Sequence, residues 1–138
     1  MKSLEHNAQK ALFIWASLAS GRYPELDLLF AIPNAHVRTA FQGNWMKDEG
    51  LKTGVPDIFL PVSRDGFVGL FIEMKTASGR LTENQRWWLL HLENEGYKAE
   101  LCCGFDEAKQ TIEEYLNLKS KVNAGPYSNK SIKRENLK

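Results

Sequence analysis

The chain has 138 residues, 43% of them apolar and 25% charged, with a formal net charge of +1. These values fit one soluble globular domain with its own core and exclude a disordered or low-complexity chain. No apolar run approaches the roughly 18 residues of a membrane span. The N-terminal stretch MKSLEHNAQKALFIWA has Glu5 and His6 close to its apolar part and no small-residue cleavage site, so no signal peptide is expected.

Charge is unevenly distributed. Residues 119–138 hold six Lys or Arg and one Glu, whereas residues 1–118 hold twelve basic and sixteen acidic residues. The expected organisation is a folded domain over 1–118 and a basic, flexible tail over 119–138. That tail is either a phosphate-binding arm or a solubilising end. Cys102 and Cys103 are adjacent in an apolar segment and read as reduced thiols of a cytoplasmic protein.

Ser3 to about Ala19 has a loose helical period in Leu4, Ala8, Leu12, Trp15 and Ala16. Leu26 to Ile32 reads as an edge or neighbouring strand, ended by Pro33-Asn34. Asn34, His36 and Arg38 follow in a loop, where Arg38 could meet a phosphate. Val37 to Glu49 is ambiguous, because Phe41, Trp45 and Met46 have helical spacing but Gly43 interrupts it. Lys47 and Lys52 flank the next segment and are either a solvated charge face or an attraction for a nucleic-acid backbone.

Residues 54–75, GVPDIFLPVSRDGFVGLFIEMK, read as two apolar strands joined by an Asp65-Gly66 turn. Thr82 to Glu95 follows as a helix whose Thr82-Glu83-Asn84-Gln85 start fits a capping box. Tyr97 to Phe105 is the next strand. A last helix runs from an Asp106 cap to about Leu118, with Ala108, Ile112, Tyr115 and Leu116 inward. His91, in the Thr82 helix, is expected to be structural. One Trp face of that helix is expected in the core, and the other could serve a subunit interface or a stacking surface. The order α-β-(α)-β-β-α-β-α gives an α/β fold, a mixed sheet flanked by helices.

The chemistry concentrates in the strand pair. Side chains alternate along a strand, so Glu73 and Lys75 share one face. If the hairpin pairs in register, Asp57 converges with them. Charges at a buried strand end are costly unless paired or bound to a cation. Two arrangements therefore stay open: a structural ion pair without catalysis, or a divalent cation between Asp57 and Glu73, for which oxygen ligands suit Mg²⁺ or Mn²⁺. The backbone carbonyl of Met74 could add a third ligand.

Pro56-Asp57, fifteen residues, then Glu73-Met74-Lys75 resembles the PD-(D/E)xK nuclease signature. The Gly-Val-Pro-Asp start, the Glu-x-Lys strand, the Gly-x-Leu-Thr turn and the helix bearing Gln85 are similar to the VRR-NUC (virus-type replication-repair nuclease) family, over about residues 4–118. The resemblance implies a restriction-endonuclease-like core and a Mg²⁺- or Mn²⁺-dependent endodeoxyribonuclease. It implies Asp57, Glu73 and the Met74 carbonyl as metal ligands, Glu5 as an outer-shell or second-metal ligand, and Lys75 and Gln85 beside the reacting phosphate. Arg38, Lys47, Lys52 and Arg80 are the expected DNA contacts. Stand-alone family members resemble Holliday-junction resolvases, which implies a homodimer acting on four-way DNA junctions in a bacterial or phage-infected cell. A flap nuclease and a non-catalytic DNA-binding module are the alternatives.

Overall fold

The computed structural model describes residues 2–33 and 46–120. Helix α1, Lys2–Ala19, forms because its apolar residues recur at helical spacing. Leu12 and Ala16 are buried, and Glu5 lies in the first turn, where the helix dipole favours an acid.

The segment after α1 departs from expectation. Pro24–Leu28 is a 3-10 helix, and only Phe30–Ala31 (β1) is extended. Leu26 and Leu29 are both buried. Their spacing of three suits a tight helical turn, and Pro24 at its first position needs no N–H.

Strand β2, Ile58–Leu60, pairs antiparallel with β1 on one side and with β3, Leu70–Lys75, on the other. Strand β3 then pairs parallel with β4, Lys98–Cys103, after a crossover through helix α2, Glu83–Asn94. The sheet order is β1-β2-β3-β4. Helix α3 is Phe105–Leu116, capped by Gly104 rather than by Asp106, which sits in its first turn. Phe105 therefore starts this helix instead of ending β4. Gly104 has φ +92°, a conformation that side-chain-bearing residues rarely adopt.

The core lies on one sheet face. Leu12 and Ala16 of α1 and Ala108, Ile112, Tyr115 and Leu116 of α3 cover Ile58, Leu60, Leu70, Ile72, Met74 and Cys102. The buried Tyr115 hydroxyl donates to the carbonyl of Val62. Alternation sends Phe59 and Phe71 to the opposite face. Their rings stack there at 4.2 Å, with Phe30 and Tyr97 edge-on. Cys102 and Cys103 are free thiols; burial pushes the Cys102 thiol up to about 11.

The hairpin turn forms as its Asp-Gly pair predicts, with positive φ at both Asp65 and Gly66. Its tip and its ladder are one residue out of step. At the tip Arg64 faces Phe67, yet farther down Leu60 faces Leu70. The three residues 61–63 thus oppose the two residues 68 and 69. The Val62 N–H donates to the Leu60 carbonyl at 2.9 Å, a local turn that takes up the extra residue.

Candidate active site

Continuing the β2–β3 register one residue beyond Ile58↔Ile72 sets Asp57 opposite Glu73. Strand β2 stops there, so β3 loses its backbone partner. Asp57 replaces it: Oδ2 accepts from the Met74 N–H at 2.8 Å. The Asp57 backbone carbonyl turns the other way and accepts from the Ile32 N–H at 2.7 Å. Asp57 is thereby held between two strands. In a strand the N–H and C=O of one residue point to the same side, so the Met74 carbonyl also faces the end of β2.

Glu73 is 2% exposed, the one buried acid among the described residues. Its Oε1 accepts from Gln85 Nε2 at 2.9 Å, and Lys75 Nζ lies 3.9 Å away. Its Oε2 is buried without a hydrogen-bond partner. Burial, then the neighbouring Asp57 charge, pushes the Glu73 carboxyl up to about 9, against the pull of Lys75. Asp57 is also raised by burial; the Met74 N–H and the hydrogen bond with Glu73 act against that rise, and Glu5 adds to it. The two carboxyls behave as a pair that shares a proton when no cation is bound, with Glu73 holding it.

Gln85 is fixed from both ends. Its backbone N–H donates to Thr82 Oγ1 at 3.2 Å, and its Oε1 accepts from the Thr82 N–H at 2.9 Å. With Oε1 engaged in the capping box, the amide presents its NH₂ end to Glu73. The capping role is therefore realised, and the same side chain also donates to Glu73.

The loop before Asp57 is anchored to the same helix. Trp88 Nε1 donates to the Thr53 carbonyl at 3.1 Å. Gly54, at φ +90°, lies so close to α2 that an added Cβ would sit 2.7 Å from the Asn84 Cβ. An added Cβ at Gly79 would likewise sit 3.2 Å from the Lys75 Cδ. The sequence reading missed these supports. Gly-Val-Pro-Asp reads as a strand start, but nothing local signals that Thr53 and Gly54 dock on α2.

The other candidate residues lie farther out. Glu5 is half-buried on α1, close enough for its charge to raise both carboxyls. Lys47, Lys52 and Arg80 are exposed. Arg38, with Asn34, His36 and Trp45, lies outside the described residues. His91 is exposed rather than built into the core; it stacks on Trp87 at 3.9 Å, and Trp87 itself is 51% exposed.

The donors present suit a hard divalent cation. Two carboxylates and a backbone carbonyl are all oxygen, and Glu73 Oε2 is a buried acceptor with nothing to accept from. Among the described residues no three His, Cys, Asp or Glu side chains gather as a metal cluster. A cation here would therefore draw on two side chains, and Glu5 would stand outside that inner set.

A mixed sheet flanked by helices, with an acid pair and a lysine at adjoining strand ends, defines the class. The sequence matches the VRR-NUC domain over residues 4–106, and the chain belongs to that family. It is similar to a solved structure described as a VRR_NUC domain protein, at 26% identity and a TM-score of 0.71, covering 85% of this chain and 91% of that one. No curated protein matches the sequence. The family makes this a nuclease-type domain. None of the described helices is long and apolar enough to cross a membrane.

Proposed function

We propose that the protein is a metal-dependent endodeoxyribonuclease of the PD-(D/E)xK type, acting on branched DNA. The observation that carries this reading is the buried Asp57–Glu73 pair with an unserved Glu73 Oε2 and an ammonium 3.9 Å from the other oxygen. Without a cation the pair depends on the proton it shares; once both acids are ionised, Glu73 Oε2 has no donor, at a cost of about 1–3 kcal/mol, and the two charges repel. A cation between the ionised acids would remove both costs.

Asp57 and Glu73 would hold Mg²⁺ or Mn²⁺ with the Met74 carbonyl. When bound, the cation supplies charge to the phosphate and acidifies water. The chain's own groups do the rest. The Met74 N–H aims Asp57 and favours its ionised form. Gln85 fixes Glu73 through Oε1 and leaves Oε2 for the ligand. Lys75, its stem packed on Gly79, carries positive charge to the non-bridging oxygens, where negative charge grows as water attacks phosphorus and the P–O bond to the leaving strand breaks.

The test is cleavage of labelled four-way and flap DNA with Mg²⁺ or Mn²⁺. Wild type should cut, and Asp57→Ala and Lys75→Ala should fall by on the order of 100-fold or more. Equal inertness of all three removes the nuclease reading; salt-dependent DNA binding without cutting leaves a non-catalytic module. The family likeness favours four-way junctions cut by a homodimer. Light scattering with and without DNA separates this from a monomeric flap nuclease.

A further inference from the structure

On α1, the helix that also carries Glu5, lies a recess of about 230 Å³ lined by His6, Gln9, Lys10 and Phe13. These positions follow the i, i+3, i+4, i+7 pattern and so share one face of α1. Phe13 packs on the core and gives the recess an apolar wall. His6 and Lys10 are exposed and Gln9 is half-buried. None of these three polar side chains has a hydrogen-bond or ion-pair partner among the described residues. Lys10 carries three donors, the Gln9 amide two and His6 at least one. Among the described residues no carboxylate lines the recess.

This set suits an oxyanion, and its position says which one. Glu5, on the same helix, acts through its charge on both Asp57 and Glu73. Gln9 follows Glu5 by about one helical turn, roughly 5.4 Å. A DNA strand advances about 3.4 Å per nucleotide. The step from Glu5 to the recess is thus on the scale of one nucleotide step, which suits a phosphate neighbouring one held at Asp57 and Glu73. We propose that His6, Gln9 and Lys10 form a subsite for a backbone phosphate flanking the scissile bond, with Phe13 against its sugar. The subsite rests on the nuclease reading and extends it to residues which that reading does not use. A phosphate contact positions the strand without reading its sequence.

The full chain in EDTA, with fluorescent branched DNA, tests this by anisotropy across a salt series. Each lost phosphate contact should make the log Kd against log salt plot shallower by about 0.7–0.9. Lys10→Ala is expected to lose about that amount, and His6→Ala/Lys10→Ala to bind still more weakly. Lys10→Arg should retain the wild-type slope, as should Lys109→Ala on α3. With metal, Lys10→Ala should raise KM more than it lowers kcat, and its Mn²⁺ calorimetry should match wild type. An unchanged slope in the double variant overturns the subsite. So does an equal loss in Lys109→Ala, which would mean diffuse attraction. Either result leaves cleavage by wild type intact, whereas wild type that neither binds nor cuts DNA overturns the nuclease reading itself.

Discussion

Glu73 takes up a proton on folding and releases it at about pH 9, against an ordinary value of 4.5. Between those values the folded state binds more protons than the unfolded one, so stability falls as pH rises. The contribution is complete below about 4.5 and lost through about 9. Metal-free wild type should therefore show a Tm that declines across this window, and Glu73→Gln, which cannot ionise, should decline less. Parallel Tm profiles for the two proteins would refute the shift. Mn²⁺ should protect wild type more at pH 8 than at pH 5.5, because a cation ligates the deprotonated carboxylate. At Gln85, replacement by Ala removes the donor to Glu73 and should lower cleavage about tenfold or more, the scale of a hydrogen bond to a charged group. Gln85→Glu keeps the oxygen that caps Thr82 but sets a second oxygen against Glu73. Its helix content by circular dichroism should persist while cleavage is lost.

Helix α2 joins two tasks, since its first turn is closed by the same amide that holds Glu73. Thr82→Ala should cost about 1 kcal/mol through the lost cap and also loosen that amide. Gly54→Ala should cost about 1–3 kcal/mol, because φ +90° and the close Asn84 contact act together. Urea denaturation of both variants checks these values. At this scale legibility follows range. The Thr82 cap and the Asp65-Gly66 turn are chemistry between residues a few positions apart, and the sequence revealed both. The 3-10 turn at 24–28 was hidden because Leu26, Leu28 and Leu29 also satisfy a strand pattern; only packing of Leu26 and Leu29 into the core decides between them. The Gly104 cap was hidden for a similar reason. Asp106 is a good capping residue, but β4 pairs Cys103 with Lys75 and leaves the glycine to make the corner.

Across the molecule, the candidate site draws on residues from Asp57 to Gln85, and the charge of Glu5 reaches it from α1. The facing of Asp57 and Glu73 could be reasoned from alternation and an assumed register. The clamp of Trp88 on Thr53 and the unserved Glu73 oxygen depend on contacts between distant segments and could not. The offset between hairpin tip and ladder bears on this directly. A regular two-residue turn, extended evenly from Arg64↔Phe67, would place Asp57 across from Met74 and aim its carboxylate at the wrong face. The buried quartet Ile58, Leu60, Leu70 and Ile72 overrules the turn, so phase is dictated from the interior and the tip merely absorbs the remainder. The loop is slack by one unit. Deleting Ser63 should bring tip and ladder into step without disturbing the acids, leaving cleavage within roughly threefold of wild type, since this exposed residue lies outside both paired registers. Ile58→Asp, by contrast, removes the interior's hold on phase, and loss of both folding cooperativity and cleavage is expected from it.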